Sequence, residues 1–456
     1  MNSHAKLKLG RGLYVWEEAL LETCDLYLVG GTVRDMLLGA AIDSIDADYL
    51  VTRITLEDCI SRLEPFGALS LVGKSFGVLK FTPSSGRTVD VSLPRTEFST
   101  GPAHRDFDVR FDPCLPVEKD LERRDYTINS MAFGLREEKL IDPLGGERDL
   151  KERVLRVNRS DSFIEDPLRI LRGVQFMARF DLAVDEETRT LMRRDQGLLG
   201  TVSPERVRDE LNKMMRFAAT PSKGFVFMHA EGFLAAVLPE LEATFGVEQN
   251  EYHPDDVFTH SVKSCDRARQ ELHLRWSALL HDLGKKDMKQ VVDGRTVFYR
   301  HEERSARIAD ALLERLRFPN DLRRRIVLLI EHHMFNMTEE WSDAAVRRFI
   351  SRVGRENIDD LLALREFDGL SRGEKRTLEQ NRMVRDRMAR ILASDAAFKV
   401  KDLAIGGADV MDALGIGEGP EVGEILRTLL ESVLERPELN NRDSLIALVE
   451  KMGKKK

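Results

Sequence analysis

The chain has 456 residues, 42% of them apolar and 32% charged, with a formal net charge of −8. At roughly 150 residues per domain this length makes about three domains, each with enough chain for its own core. No uncharged apolar run approaches the roughly 18 residues of a membrane span, which excludes a helical membrane protein. The opening MNSHAKLKLGRG lacks the apolar stretch of a secretory leader. Cys24, Cys59, Cys114 and Cys265 lie far apart with no CxxC pair, so neither a disulfide framework nor a thiolate zinc site is expected. A reduced, cytoplasmic chain is expected instead.

Net acidity does not exclude a nucleic-acid partner, because phosphate binding answers to the local field. Arg123-Arg124, Arg169 with Arg172, Arg323-Arg324-Arg325 and Lys454-Lys455-Lys456 are basic clusters; the last two read as a solvated helix face and a frayed tail.

In chain order, the apolar run Leu26-Tyr27-Leu28-Val29 breaks at Gly30-Gly31 and continues as TVRDMLLG, which predicts a strand, a glycine turn and a short helix closed by Gly39. A second strand is expected through Asp46-Ala47-Asp48-Tyr49-Leu50-Val51. FGVLKF (76–81) and TVDVSL (88–93) flank Pro83-Ser84-Ser85-Gly86 and predict a hairpin. Beyond about residue 140 the helical period takes over, as in DPLRILRGVQFMARF, VRDELNKMM and LRTLLESVLE. Leu168, Leu171, Val174 and Ala178 form one expected buried stripe. Boundaries are expected near 145, where Gly145-Gly146 follows Asp142-Pro143, near 250 and near 372.

Paired glycines after a strand let backbone amides approach a phosphate, and the helix start that follows favours an anion. There is no GxGxxG, and the near-match to a phosphate-binding loop at Gly73-Lys74-Ser75 has Ala68 where its first glycine belongs. Asp46 and Asp48, two apart on a strand, are expected on one face. Two such carboxylates repel unless a divalent cation lies between them, and oxygen ligands suit Mg²⁺. Asp90, between Val89 and Val91, is placed to reach the same face.

LVGGTVRDMLLG, DADYLVT, RRDYTINSMAF, EDPLRILRGVQFMARF and SPERVRDEL resemble, in that order, the motifs of class II tRNA nucleotidyltransferases and bacterial poly(A) polymerases. Those families belong to the DNA polymerase β-like superfamily. The resemblance covers residues 26–215 densely and the rest loosely. It implies an α+β head with a small mixed or antiparallel sheet, followed by an all-α neck, body and tail in an elongated multidomain chain. The implied domains are a catalytic head (1–145), a neck that selects the nucleobase and contacts tRNA (146–250), an HD domain (251–372) and an RNA-contacting tail (373–456).

Under that resemblance Asp46, Asp48 and Asp90 are catalytic, with Mg²⁺ on Asp46 and Asp48 activating an RNA 3′-hydroxyl for in-line attack. Gly30, Gly31 and Arg34 would hold the triphosphate, and Arg124, Asp125 and Asn129 the ribose. Asp166 and Arg169, three apart on a helix, would be neighbours. Cytosine and adenine share an exocyclic amine beside a ring nitrogen, which a carboxylate beside a guanidinium complements, whereas uracil and guanine oppose it. Arg172 would support the pair. Ser203 is expected to cap the next helix, with Glu205 and Arg208 bracing it.

His260, His281-Asp282 in LLHDLGKK, His301, His332-His333 and Asp368 resemble the metal ligands of an HD phosphohydrolase domain. Imidazole with carboxylate suits Mn²⁺, Fe²⁺ or Ni²⁺. The second His-Asp dipeptide of some bacterial relatives is absent, Met334 following His333, which leaves open a second metal and the choice between His332 and His333. The glycine-rich turn in IGGADVMDALGIGEGPEVGEIL reads either as a phosphate contact or as a helix–turn–helix hinge.

The expected function is untemplated addition of CTP- and ATP-derived nucleotides to the 3′-terminal CCA of tRNA, with an HD hydrolase alongside and no membrane partner. Poly(A) synthesis, CC-only or A-only addition, and an RNA-binding module fused to a signalling HD hydrolase are the alternatives.

Overall fold

The structure is a computed structural model, described for residues 7–72, 78–84, 86–99, 107–250, 254–335, 341–371, 376–393 and 397–453. The Gly73-Lys74-Ser75 segment, Phe76-Gly77 and Ser85 of the expected hairpin, and Lys454-Lys455-Lys456 lie outside these residues. The chain forms two compact units, Met1–Val237 and Leu238–Lys456.

The first unit opens with helix α1 (Val15–Leu21), strand β1 (Asp25–Val29), α2 (Gly31–Leu37), β2 (Asp48–Thr52) and α3 (Leu56–Leu63). Strands β3 (Gly67–Val72), β4 (Val78–Pro83) and β5 (Val89–Ser92) follow, then a two-stranded ribbon of β6 (Arg95–Ser99) and β7 (Phe107–Phe111), then α4 (Val117–Glu122), β8 (Ala132–Gly134) and β9 (Lys139–Ile141). Seven strands make one mixed sheet in the order β3-β4-β5-β2-β1-β8-β9, antiparallel except for the parallel pair β2–β5. An α+β head is what the sequence implied, and the hairpin of β4 and β5 forms as expected. The second strand starts two residues late: Asp46 precedes it, and only Asp48 lies within it.

Successive side chains on a strand point to opposite faces, and that decides where the carboxylates go. Tyr49 and Val51 of β2, Leu79 and Phe81 of β4 and Val91 of β5 belong to one buried cluster with Trp16 and Leu20 of α1. Trp16 packs edge-on to Tyr49 and Phe81, at 5.0 and 5.2 Å between ring centroids. Asp48, Lys80 and Asp90 alternate with these residues and are left on the other side.

Helices continue the unit: α5 (Gly146–Lys151), α6 (Ser162–Glu165), α7 (Leu168–Phe180), α8 (Glu186–Asp195), α9 (Pro204–Phe217), α10 (Ser222–Ala230) and α11 (Leu234–Val237). The expected stripe Leu168, Leu171, Val174 and Ala178 is buried.

The second unit runs through α12 (Pro239–Glu242), α13 (Val257–Arg267), α14 (Leu272–Leu280), α15 (Lys285–Met288), α16 (His301–Arg315), α17 (Asn320–His332), α18 (Asp343–Val353), α19 (Ile358–Ser371) and α20 (Arg376–Ala393). Helices α21 (Gly407–Leu414), α22 (Pro420–Glu435) and α23 (Arg442–Gly453) close it around Val410, Leu429, Val433 and Leu445. Among the described residues no helix is long and apolar enough to cross a membrane.

Candidate active sites

The glycine turn comes first. Gly30 adopts φ +65° and ψ −127°, a conformation open essentially to glycine. A β-carbon there would also meet Arg124 Nη1 at 2.6 Å, so the guanidinium lies directly against the turn. Thr32, buried in the first turn of α2, accepts from the Asp48 amide at 2.8 Å and donates to the Asp46 carbonyl at 3.4 Å. One hydroxyl thereby pins the backbone on both sides of Ala47.

Asp48 stands in parallel register with Asp90, and Asp90 accepts from Lys80 at 3.0 Å across the neighbouring pair. The Asp48 side chain opens to solvent, yet the protein packed around it removes enough water to push its pKa up to about 6. Arg124 opposes that rise, while Asp90 and Asp46 add to it. Three carboxylates converge here with one lysine among them, a donor set that fits a hard divalent cation.

Beside the turn runs a chain of paired polar groups. Arg34 is buried, donates to Asn129 Oδ1 at 2.6 Å and to Asp35, and lies 4.4 Å from the Phe180 ring centroid. Asn129 Nδ2 donates to Asp125 Oδ1 at 3.1 Å, and Arg172 Nε donates to Asp125 Oδ2 at 2.8 Å. Burial alone would raise Asp125, but Arg172 above all, with Asn129 and Arg169, holds it below the usual carboxylate range. Arg172, expected behind the Asp166–Arg169 pair, binds Asp125 and also feels the Asp166 charge.

Asp166 and Arg169 are not on one helix. Asp166 is extended, at φ −144° and ψ 98°, because Pro167 drives the preceding residue out of the helical region. Its Oδ1 accepts from the Leu168 amide at 3.2 Å and its Oδ2 from Arg206 Nη2 at 2.8 Å. Arg169 at the start of α7 donates to Ser162 Oγ at 2.8 Å, Glu165 Oε2 at 3.1 Å and the Arg123 carbonyl at 3.2 Å. Both members thus stand at the mouth of α7, each with its own anchor.

Ser203 occupies the cap position of α9 without a side-chain capping bond. Arg208 pairs with its neighbour Asp209, and from α9 Arg206 reaches Asp166 while Glu210 faces Arg172. The sequence carried a usable signal for Glu210, an acid on the apolar stripe with Val207, Leu211 and Met214, where an unpaired charge is costly. Asp120 was also missed; its side chain is fully buried and takes both Arg123 and Arg124.

The second unit gathers a different donor set. His260, His281 and Asp282 form one trio of potential metal ligands, and Asp282, His301 and His333 another, all buried. Asp368 completes the group, 3.0 Å from His260 Nε2 and 3.7 Å from His281 Nε2. The Nδ1 atoms of His281, His301 and His333 lie 2.7–2.9 Å from the carbonyls of Ala278, Phe298 and Ile330, and that of His260 lies 3.0 Å from Ser371 Oγ. Fixing Nδ1 this way leaves every Nε2 available as a donor atom for a metal.

Asp282 Oδ1 and His301 Nε2 are buried and face each other at 3.2 Å. Lys285 Nζ caps the other Asp282 oxygen at 2.7 Å. Burial opposes charge on His281, but Asp282 and Asp368 outweigh it and lift its pKa to about 10; burial, then His281 and His301, lowers His333 to about 3. Between the two adjacent histidines, His333 is the one in the cluster, while His332 sits half-buried on the exposed side of α17. Gly284 is required by packing: a β-carbon would meet the His301 carbonyl and the Ser305 amide at 2.6 Å.

Residues 26–156 match the family model of the poly A polymerase head domain, residues 181–245 a model described as "Probable RNA and SrmB- binding site of polymerase A", and residues 297–449 the tRNA nucleotidyltransferase domain 2 model. The multifunctional CCA protein of Xanthomonas campestris pv. campestris (strain B100) is 35% identical over 417 residues, covering 88% of this chain and 96% of that one. That of Acidovorax sp. (strain JS42) is 37% identical over 417 residues, covering 88% and 93%. The chain belongs to the CCA-adding nucleotidyltransferase family. Its fold matches the Bacillus stearothermophilus CCA-adding enzyme solved with CTP, with a TM-score of 0.69 at 22% identity over 96% of each chain. The Thermotoga maritima CCA-adding enzyme solved with tRNA matches with a TM-score of 0.53 at 21% identity, over 97% and 93%. As a member of this family the chain is a nucleotidyltransferase that works with a divalent metal.

Proposed function

We propose that the enzyme builds or repairs the 3′-terminal CCA of tRNA, taking CTP and ATP one nucleotide at a time without a template. The observation that carries this reading is the convergence of Asp48 and Asp90 on the sheet face opposite the apolar core, with Asp46 just before the strand close enough to act on Asp48 and the Gly30 turn beside them. Asp46 and Asp48 would hold Mg²⁺, which when bound neutralises the triphosphate and lowers the cost of an attacking 3′-oxyanion. Asp90 shares the same edge, steadied by Lys80. Gly30, Gly31 and Arg124 line the turn against which the phosphates lie; Arg34, expected there, would act through Asn129. Asp125 and Asn129 would take the ribose, and Asp166 with Arg169 the edge of cytosine or adenine.

In this reading residues 1–145 are the head, 146–250 the neck, 251–372 an HD domain and 373–456 a tail that grips tRNA. The His/Asp cluster supports a second activity, metal-dependent hydrolysis of a phosphoester, with Mn²⁺, Fe²⁺ or Ni²⁺ on His260, His281, Asp282, His301, His333 and Asp368. Trimming a 2′,3′-cyclic phosphate would free the hydroxyl that primes CCA addition. Buried free thiols at Cys24, Cys59 and Cys265 fit a reduced, cytoplasmic setting.

The test is incubation with tRNAs ending at the discriminator base, at C and at CC, each with one labelled triphosphate. Addition of C, C and A respectively supports the reading. Long extension with ATP alone marks a poly(A) polymerase, and arrest after CC, or a response only to the CC end, marks a partial enzyme.

A further inference from the structure

The Asp125 carboxylate is already full. Its Oδ1 accepts from the Tyr126 amide at 2.8 Å and from Asn129 Nδ2 at 3.1 Å, and its Oδ2 faces Arg172 Nε at 2.8 Å and Nη2 at 2.7 Å. A carboxylate offers about four acceptor positions, so an incoming hydroxyl must displace one of these donors. The Tyr126 amide is backbone, and Asn129 is locked from behind by Arg34 at 2.6 Å. Arg172 is the donor with somewhere to go. Its Nη1 lies 3.8 Å from Glu210 Oε1, while Glu210 Oε2 is buried without a hydrogen-bond partner on a side chain only 4% exposed. Lys213 occupies Oε1 alone, at 2.7 Å. The Phe176 ring, 5.4 Å from the guanidinium carbon, lends a face along which the cation can turn.

We infer that Arg172 shuttles between two carboxylates, resting on Asp125 and passing to Glu210 when the 2′-hydroxyl of a ribonucleotide takes its place. The inference rests on Asp125 being the ribose acceptor. It makes Arg172 and Glu210 positioning residues for sugar selection: a deoxynucleotide has no hydroxyl to drive the transfer and leaves Arg172 where it is. No bond is made or broken; one charge-assisted contact replaces another.

The test is equilibrium binding of CTP and dCTP to the full chain with magnesium present. Replacing the anionic receiver in Glu210→Gln weakens CTP about tenfold, the worth of a charge-assisted contact, and changes dCTP by less than about twofold. Asp125→Asn separates the two layers of the argument. If it abolishes the preference for CTP while Glu210→Gln binds both nucleotides as the wild type does, the shuttle is overturned and the role of Asp125 stands. If Asp125→Asn keeps the full preference, or the wild type binds both alike, the underlying reading fails. Should Glu210→Gln not fold, the Nε–H resonance of Arg172, assigned by its loss in Arg172→Lys, decides on the wild type. It shifts with saturating CTP and stays with dCTP; a signal unmoved by CTP overturns the shuttle.

Discussion

Gly30→Ala tests the phosphate turn directly. At φ +65° and ψ −127° an alanine is strained by about 1–3 kcal/mol, since only glycine occupies that region freely. The new β-carbon would sit 2.6 Å from Arg124 Nη1, so that guanidinium must retreat. Arg124 Nη2 donates to Asp120 at 3.2 Å, and Asp120 keeps Arg123 as a second partner, so loosening this contact adds about 1 kcal/mol. The sum, about 2–4 kcal/mol, lowers the melting temperature of the first unit by roughly 4–15 °C. Transfer of labelled CTP to a tRNA ending at C falls further, about a hundredfold, because Arg124 no longer meets the turn at its working distance. Gly31→Ala is the control: its β-carbon would lie 3.3 Å from Arg34 Nη2 in ordinary backbone, a cost under about 1 kcal/mol. A Gly30→Ala protein with wild-type melting and undiminished incorporation would refute the steric argument.

Asp48→Asn is expected to reduce nucleotide transfer by at least about a thousandfold while leaving the melting curve in place, since it removes a metal ligand and relieves like-charge crowding; appreciable transfer by the variant contradicts the assignment. His281→Ala should abolish Mn²⁺ or Ni²⁺ binding by calorimetry and leave CTP incorporation intact; unchanged heats of metal binding count against the cluster. For pH, burial would raise both Asp120 and Asp125, but Arg124 with Arg123 and Arg172 respectively hold them below the usual carboxylate value. Their contribution is therefore complete above the unfolded value of about 3.9 and lost as the pH falls below it, so the melting temperature of the first unit drops on acidification under about pH 4 and not before. A rise in that range would reverse the sign and refute it.

Much of this was legible in the sequence because the signals were local. The strand, the paired glycines and the alternation around Asp48 and Asp90 each fit within a dozen residues, and so did the histidine–aspartate dipeptide. Two misreadings were local as well: EDP was treated as helical although proline excludes it for Asp166, and a strand was begun at Asp46. Contacts between distant segments were not legible. Nothing near Arg172 announces that its partner is Asp125, 47 residues back. Nor does VRDEL say that Glu210 faces inward, although its place on an apolar stripe argued for a buried partner. That His333 rather than His332 joins the cluster follows from the rotation of α17, which no dipeptide reveals.

The two clusters answer to opposite physical rules, which suits them to the two different chemistries proposed. Around Asp48 the donors are oxygens open to solvent, suited to a small hard cation that sheds its water reluctantly and brings substrate phosphate as part of its shell. Around Asp282 the donors are mainly imidazoles, sealed from solvent, each oriented by a carbonyl or hydroxyl behind it. Such a site is built before any ion arrives, with Asp282 Oδ1 and His301 Nε2 buried and held 3.2 Å apart. A borderline metal on these atoms would gain from the imidazoles, whereas magnesium would gain little. In the reading proposed above, the pairing of donor softness with burial would select the cation at each place.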